Sequence, residues 1–245
     1  MSFKKIIRRI APGSVRSFIG GMLIEQRERQ IGKLKLGDAF DQVYAKKMWQ
    51  QGDALSGIGS EGEFADAYID FVLEYAKKNE LRSVLDGGCG DFSVGSRLAP
   101  HFETYMAADV SKIIVERNRG LYSTAKNVVF DVLDLTQNPL PSCDLILIRQ
   151  VLQHLTNSQI GDILQNIERS SWKKVLITEE VFDIAGNDQD NVDLPSHTVR
   201  TRVSLGGGVF IDKPPFSVSA NRITVIRKRD NVGSSSGLMV FELSR

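Results

Sequence analysis

From residue 65 to about 79 the apolar positions Tyr68, Phe71, Val72 and Tyr75 recur at helical spacing, which predicts a helix. The pattern then changes to short apolar runs. "SVLD" (83–86), "YMAAD" (105–109), "NVVFDVLD" (127–134), "CDLILI" (143–148) and "KVLIT" (174–178) each read as a buried strand. Two helices are expected between them. "SKIIVERNRG" (111–120) is capped by Ser111 and closed by Gly120, and Ile160, Ile163, Leu164 and Ile167 mark a helix that ends near Trp172. Strands alternating with helices at this spacing imply a parallel sheet covered on both faces. The last third differs: "RITVIRKR" and "GLMVFELSR" flank "DNVGSSSG", an antiparallel pair joined by a mobile loop. The expectation is an α/β fold, a mostly parallel seven-stranded sheet with an antiparallel C-terminal hairpin.

The chain has 245 residues, 42% hydrophobic and 25% charged, with a net charge of +1. That is enough chain for one large domain with a full core, and the charge gives no general pull toward nucleic acid. Two cysteines, Cys89 and Cys143, and three scattered histidines offer neither a disulfide scaffold nor a zinc-like cluster. A reduced, cytoplasmic setting without metal is expected. Residues 1–62 read as an extension before a domain spanning 63–245. Its start alternates Lys4, Lys5, Arg8, Arg9 and Arg16 with Ile6, Ile7, Ile10, Phe18 and Ile19, and Arg8 and Arg9 interrupt any signal-like apolar run. Residues 1–20 form a basic amphipathic arm, suited to packing on its own domain, bridging a homodimer or lying on an acidic membrane face.

Residues 83–100, "SVLDGGCGDFSVGSRLAP", carry the clearest chemistry. Glycines at 87, 88 and 90 fall between a strand and a helix, the setting of a ligand-binding loop. No Lys follows as a phosphate-binding P-loop needs, and Ser93 stands where a dinucleotide fingerprint wants its third glycine. Asp86 and Asp91 flank the glycines, a charge pattern that repels a pyrophosphate and attracts a sulfonium with an ammonium group. Cys89 reads as a small buried residue beside the ligand.

"VLDGGCGDF" resembles motif I of the class I S-adenosylmethionine (SAM)-dependent methyltransferases, read as D-x-G-x-G on Asp86, Gly88 and Gly90, with Phe92 where the family often has a further glycine. The resemblance covers roughly residues 60–180. It implies a Rossmann-like fold, SAM as cofactor without metal, and a cofactor site at Asp86, Gly87, Gly88, Gly90, Asp109, Asp134, Leu135 and Arg149. Asp109 falls where the family holds the ribose hydroxyls. Asp134, preferred over Asp131, falls where it meets the adenine amino group.

The acceptor is read from less. The N/D-P-P-Y/F motif of enzymes that methylate adenine or amide nitrogen is replaced by "IRQVLQHL". "FDQVYAKKMW…SGIGS", "DLILIRQVLQHL", "KPPF" and the "IIRRIAPGSVRSFIGGML" start resemble bacterial methyltransferases of surface-polysaccharide and other glycan biosynthesis. This implies O-methylation of a sugar hydroxyl or sugar-linked phosphate, with a peripheral place at the inner membrane face. A small-molecule N- or O-methyltransferase and a non-catalytic SAM-fold binding protein are the alternatives. His154, just beyond Arg149, and His197, in the loop "NVDLPSHTVR", are the candidate bases. Tyr44, Trp49, Gln150, Glu179 (or its neighbour Glu180) and Arg200 are the candidate acceptor contacts.

Overall fold

The computed structural model describes residues 26, 28–50, 52, 54–183, 186–227 and 237–245. The basic arm and the "DNVGSSSG" loop up to 236 therefore lie outside the described residues. The strands are β1 (Ser83–Gly87), β2 (Thr104–Asp109), β3 (Val128–Val132), β4 (Leu145–Arg149), β5 (Lys174–Val181), β6 (Asn221–Ile226) and β7 (Gly237–Ser244). They form one seven-stranded sheet in the order β3-β2-β1-β4-β5-β7-β6. β1 to β5 are mutually parallel, and β7 runs antiparallel to both β5 and β6. The expected fold class is the observed one.

Strand alternation builds a core on each face. Val84, Leu145, Leu147 and Leu176 pack on one side with Tyr68 and Val72 of helix α2 (Gly62–Lys78) and Ile114 of α4 (Lys112–Leu121). Leu85, Ile146, Ile148 and Ile177 pack on the other with Ile160, Ile163 and Ile167 of α5 (Asn157–Arg169). Two further helices are α1 (Leu36–Ala45) and the single turn α3 (Gly95–Leu98), and residues 28–31 are helical as well. Ser111 caps α4 as expected, its Oγ accepting from Ile114 N. Thr156 and Gln159 form a reciprocal capping box on α5.

Three boundaries differ from the sequence reading, and each moves a candidate residue. β3 stops at Val132, which leaves Asp134 in the following turn. β5 runs on to Val181, because β7 pairs along its whole length, so Glu179 and Glu180 are strand residues on opposite faces. Between β4 and α5 the chain makes a short 3-10 turn, Leu152–His154, so His154 precedes the helix. Strand order reverses between β1 and β4, where open α/β sheets leave a crevice at the strands' carboxyl ends.

Candidate functional site

The glycine loop leaves β1 at Gly87 and turns through left-handed backbone at Gly88 (φ 81°) and Gly90 (φ 56°). A Cβ at Gly88 would stand 2.3 Å from Val151 Cγ2, and one at Gly90 2.3 Å from Ser56 Oγ. The loop is bare at these points because two other segments of chain lie against it. Gly90 N donates to Asp109 Oδ2 (3.1 Å) and Ser111 N to Asp109 Oδ1 (2.9 Å), so the end of β2 is fastened to the loop.

Asp91 latches a second segment. Its Oδ2 accepts from Leu55 N (2.7 Å) and Ser56 N (3.1 Å), and its Oδ1 from Ser93 N (3.1 Å) and Ser93 Oγ (2.8 Å). The carboxylate expected to face a ligand cation is thus engaged by its own chain. Phe92, where the resembling family often has glycine, also sits at positive φ (64°) and is buried against Tyr105, Tyr122 and Phe130.

A cavity of about 440 Å³ opens above this loop. Asp86, Gly88, Gly90, Asp109, Asp134, Leu135 and Arg149 are among its lining residues. Tyr44, Trp49, Gln150, His154 and Glu180 line it too, with Phe40, Gln153 and Thr201. Among the described residues carboxyl groups dominate the charge: Asp86, Asp91, Asp109, Asp134 and Glu180 line the cavity, against the guanidinium of Arg149. Burial raises Asp86 to about 6, opposed by the hydrogen bond from Tyr105 Oη (2.8 Å) and by Arg149. Burial likewise raises Asp109 to about 6, opposed by the N–H groups of Ser111 and Gly90. Arg149 donates through Nη2 to Gly59 O and lies 4.9 Å from the Tyr68 ring centre, while its buried Nε has no partner. Asp134 turns the chain after β3, its Oδ1 accepting from Thr136 N (2.9 Å). Asp131 is exposed and lies 3.6 Å from Arg119, away from the cavity.

His154 is buried, with its Nδ1 3.0 Å from Arg200 O. A carbonyl only accepts, so Nδ1 carries the proton and Nε2 is the basic nitrogen of the neutral ring. Burial lowers its pKa to about 4, against the hydrogen bonds to the backbone of Arg200 and Thr198.

Four candidates stand elsewhere. His197 faces residues 28–40 instead of the cavity, its Nε2 3.2 Å from Ile31 O and its Nδ1 3.4 Å from Gln159 Nε2, because the 191–200 loop folds under that segment. Glu179 is wholly buried and is not among the lining residues, where Glu180 stands in its place. Arg200 contributes its carbonyl to His154, while its exposed side chain lies 3.8 Å from Glu28. Gly87 is a packing glycine: its Cβ would meet Leu135 Cδ1 at 3.0 Å. Sequence reasoning missed Ser56, Phe40 and Gln153. Ser56 meets Asp91 from 35 positions away, a pairing for which the chain carries no local signal.

A ligand suited to this cavity carries positive charge for its carboxylates, hydroxyls for Asp109 and an acceptor for the orphaned Nε–H of Arg149. A sulfonium, an ammonium, a ribose and a carboxylate together meet those demands, so the residues fit SAM. Among the described residues no group of His, Cys, Asp and Glu is arranged to hold a metal, and no helix is long and apolar enough to cross a membrane.

Residues 85–170 match a family model described as a methyltransferase domain. No curated protein sequence matches the chain. Among solved structures, the N-methyltransferase NodS from Bradyrhizobium japonicum WM9, in complex with S-adenosyl-L-homocysteine, is similar at TM-score 0.60 and 14% identity, over 82% of this chain and 98% of that one. The magnesium protoporphyrin IX methyltransferase ChlM from Synechocystis PCC 6803 is similar at TM-score 0.54 and 14% identity, over 86% and 97%. The methyltransferase domain of bacterial CtHen1 gives 0.51 and 19%, over 73% and 98%.

Proposed function

Starting from a chain that carries a SAM-dependent methyltransferase domain, we propose that it methylates a hydroxyl of a neutral, sugar-like acceptor. One observation carries this reading. Besides the residues assigned to the cofactor, the cavity lining combines aromatic rings (Phe40, Tyr44, Trp49) with neutral hydrogen-bonding groups (Gln150, Gln153, His154, Thr201), and among the described residues it holds no Lys and no Arg other than Arg149. Aromatic faces and amide groups suit a polyol, whereas a phosphorylated acceptor would meet the carboxylate of Glu180 with no cationic clamp among the described lining residues. The sugar-linked phosphate considered from the sequence is therefore the weaker form of the reading.

SAM supplies a methyl group made electrophilic by positively charged sulfur. Asp109 would hold the ribose hydroxyls, Asp134 and Leu135 the adenine, and the Nε–H of Arg149 the carboxylate. Trp49 and Tyr44 hold the acceptor ring and exclude water, which keeps its hydroxyl oriented. His154 Nε2 takes the hydroxyl proton. A base with a pKa of about 4 is sufficient, because the O–H becomes that of a strongly acidic protonated ether as the oxygen attacks. A glycan precursor as acceptor, with the 1–20 arm against a membrane or a second copy of the chain in the cytoplasm, extends the reading and rests on the sequence resemblance.

The test is transfer of label from methyl-labelled SAM to a panel of methyl glycosides, nucleotide sugars, sugar phosphates and primary amines. Label recovered as a sugar methyl ether, lost in Asp109→Ala and reduced about 100-fold in His154→Ala, is the expected result. Label recovered in amines alone overturns the hydroxyl reading.

A further inference from the structure

Glu179 was expected at the acceptor, and its position in the fold gives it other work. β4 ends at Arg149, and the last ladder bond beyond it runs from Gln150 N to Thr178 O (2.7 Å). Gln150 then takes left-handed backbone (φ 55°) and the chain leaves the sheet. The next three N–H groups have no strand to pair with. Glu179 receives all three: its Oε1 accepts from Val151 N (3.0 Å) and Leu152 N (2.8 Å), and its Oε2 from Gln153 N (3.2 Å). The carboxyl group is wholly buried beside Ile177, Val181, Leu152 and Leu155. A buried polar group in such surroundings stays only when its hydrogen bonds are met, and here each side satisfies the other.

The turn is gripped from its far end as well. Arg202, also buried, donates through Nη2 to Leu155 O (2.7 Å) and Asn157 Oδ1 (2.9 Å). Thr198 N donates to His154 O (2.9 Å) and Arg200 O receives His154 Nδ1. The four residues so held include three that line the cavity: Val151 against Gly88 of the cofactor loop, Gln153, and His154. β5 is paired on both sides, so Glu179 is a rigid anchor for a turn that has no regular ladder of its own.

We infer that Glu179 is a positioning residue, whose carboxyl oxygens set the 151–154 turn and thereby aim His154 into the cavity. The inference rests on the proposed role of His154 only for its effect on catalysis; the positioning itself is read separately. Burial raises Glu179 to about 8, opposed by the three N–H groups and by Arg202.

The experiment compares Glu179→Met, of similar length with no acceptor, and Glu179→Gln, which keeps one carbonyl oxygen. Three readouts are taken on the full chain: the His154 ring titration by NMR, methyl transfer as kcat and KM, and amide exchange of residues 151–153 in the wild type. The expected results are slow exchange of those amides, a His154 titration moved upward toward the ordinary 6.5 in Glu179→Met, and kcat lowered about 100-fold with the acceptor's KM changed less. Glu179→Gln should recover most of both. A His154 titration in Glu179→Met equal to that of the wild type overturns the inference whatever the activity. Free exchange of the three amides overturns it too, and needs no variant to fold. If His154→Ala proves active while Glu179→Met still moves the His154 titration, the proposed base is wrong and the positioning stands.

Discussion

The indole of Trp49 lies 4.7 Å from the imidazole of His154, the two rings inclined by only 30°. Consecutive carbonyls hold the pair: Trp49 Nε1 donates to Val199 O (2.9 Å) and His154 Nδ1 to Arg200 O. The stack therefore depends on residues 198–200 as much as on either ring, and it joins the segment before α2 to the turn after β4. Trp49→Ala should open one wall of the cavity and admit water beside His154. The acceptor's KM is expected to rise about tenfold, in line with the loss of one aromatic contact and its buried area. SAM affinity measured by calorimetry should stay within about threefold.

Gly90→Ala tests the closeness of the glycine loop and the 54–60 segment. Alanine at φ 56° is strained by about 1–2 kcal/mol, and its Cβ would also displace Ser56 Oγ. The variant should unfold several degrees lower in calorimetry and bind SAM at least about tenfold more weakly. Unchanged binding would mean that the segment gives way freely.

Asp91→Ala should release that same segment. Leu55, Ser56 and Ser93 lose the acceptor of their N–H groups, a loss of about 2 kcal/mol shared between stability and local opening. Limited proteolysis should cut between residues 54 and 60 sooner than in the wild type, and SAM should dissociate faster in stopped-flow chase. Retention of wild-type rates on both counts would remove the latch from the account.

The stability of the cofactor-free protein should fall between pH 6.5 and 8. Glu179 titrates at about 8 in the folded state against an ordinary 4.5, so the folded form binds the extra proton and loses that advantage as pH rises through 8. By pH 6.5 Asp86 and Asp109, at about 6, have mostly ionised. His154, at about 4, is already neutral, and its depressed value acts in the opposite sense only below 6.5. The decline across the window should be about 2 kcal/mol by denaturant titration, and Glu179→Gln should flatten it.

The sheet was legible because its strands are short apolar runs separated by helices with matching period, as at "SVLD" and at Ile160, Ile163, Leu164 and Ile167. Asp86 and Asp109 could be singled out for the same reason: each ends or nearly ends a strand, and parallel strands deliver their carboxyl ends to one edge. The phase of β5 was not legible. Its pairing with β7, more than fifty positions on, decides how far the strand runs and which glutamate faces the cavity. The loop 191–200 misled in another way. His197 and Arg200 were expected at the active site, but they are turned toward Ile31 and Glu28, and partners about 170 positions away leave no periodic trace.

Phe92 makes a different demand on its surroundings from the glycine that the resemblance leads one to expect. With its ring folded inward, the room normally left at that position is occupied, and the vacancy is needed three residues later: a Cβ at Gly95 would lie 2.3 Å from Phe92 Cε2 and 2.9 Å from Asp86 Oδ2. Bulk at one site and bareness at the other are a single choice. Gly95→Ala alone should clash with both the aromatic ring and the β1 carboxylate and push each aside. Joined with Phe92→Gly it should cost less than the two changes taken separately, so sequence drift could exchange the pair only in concert.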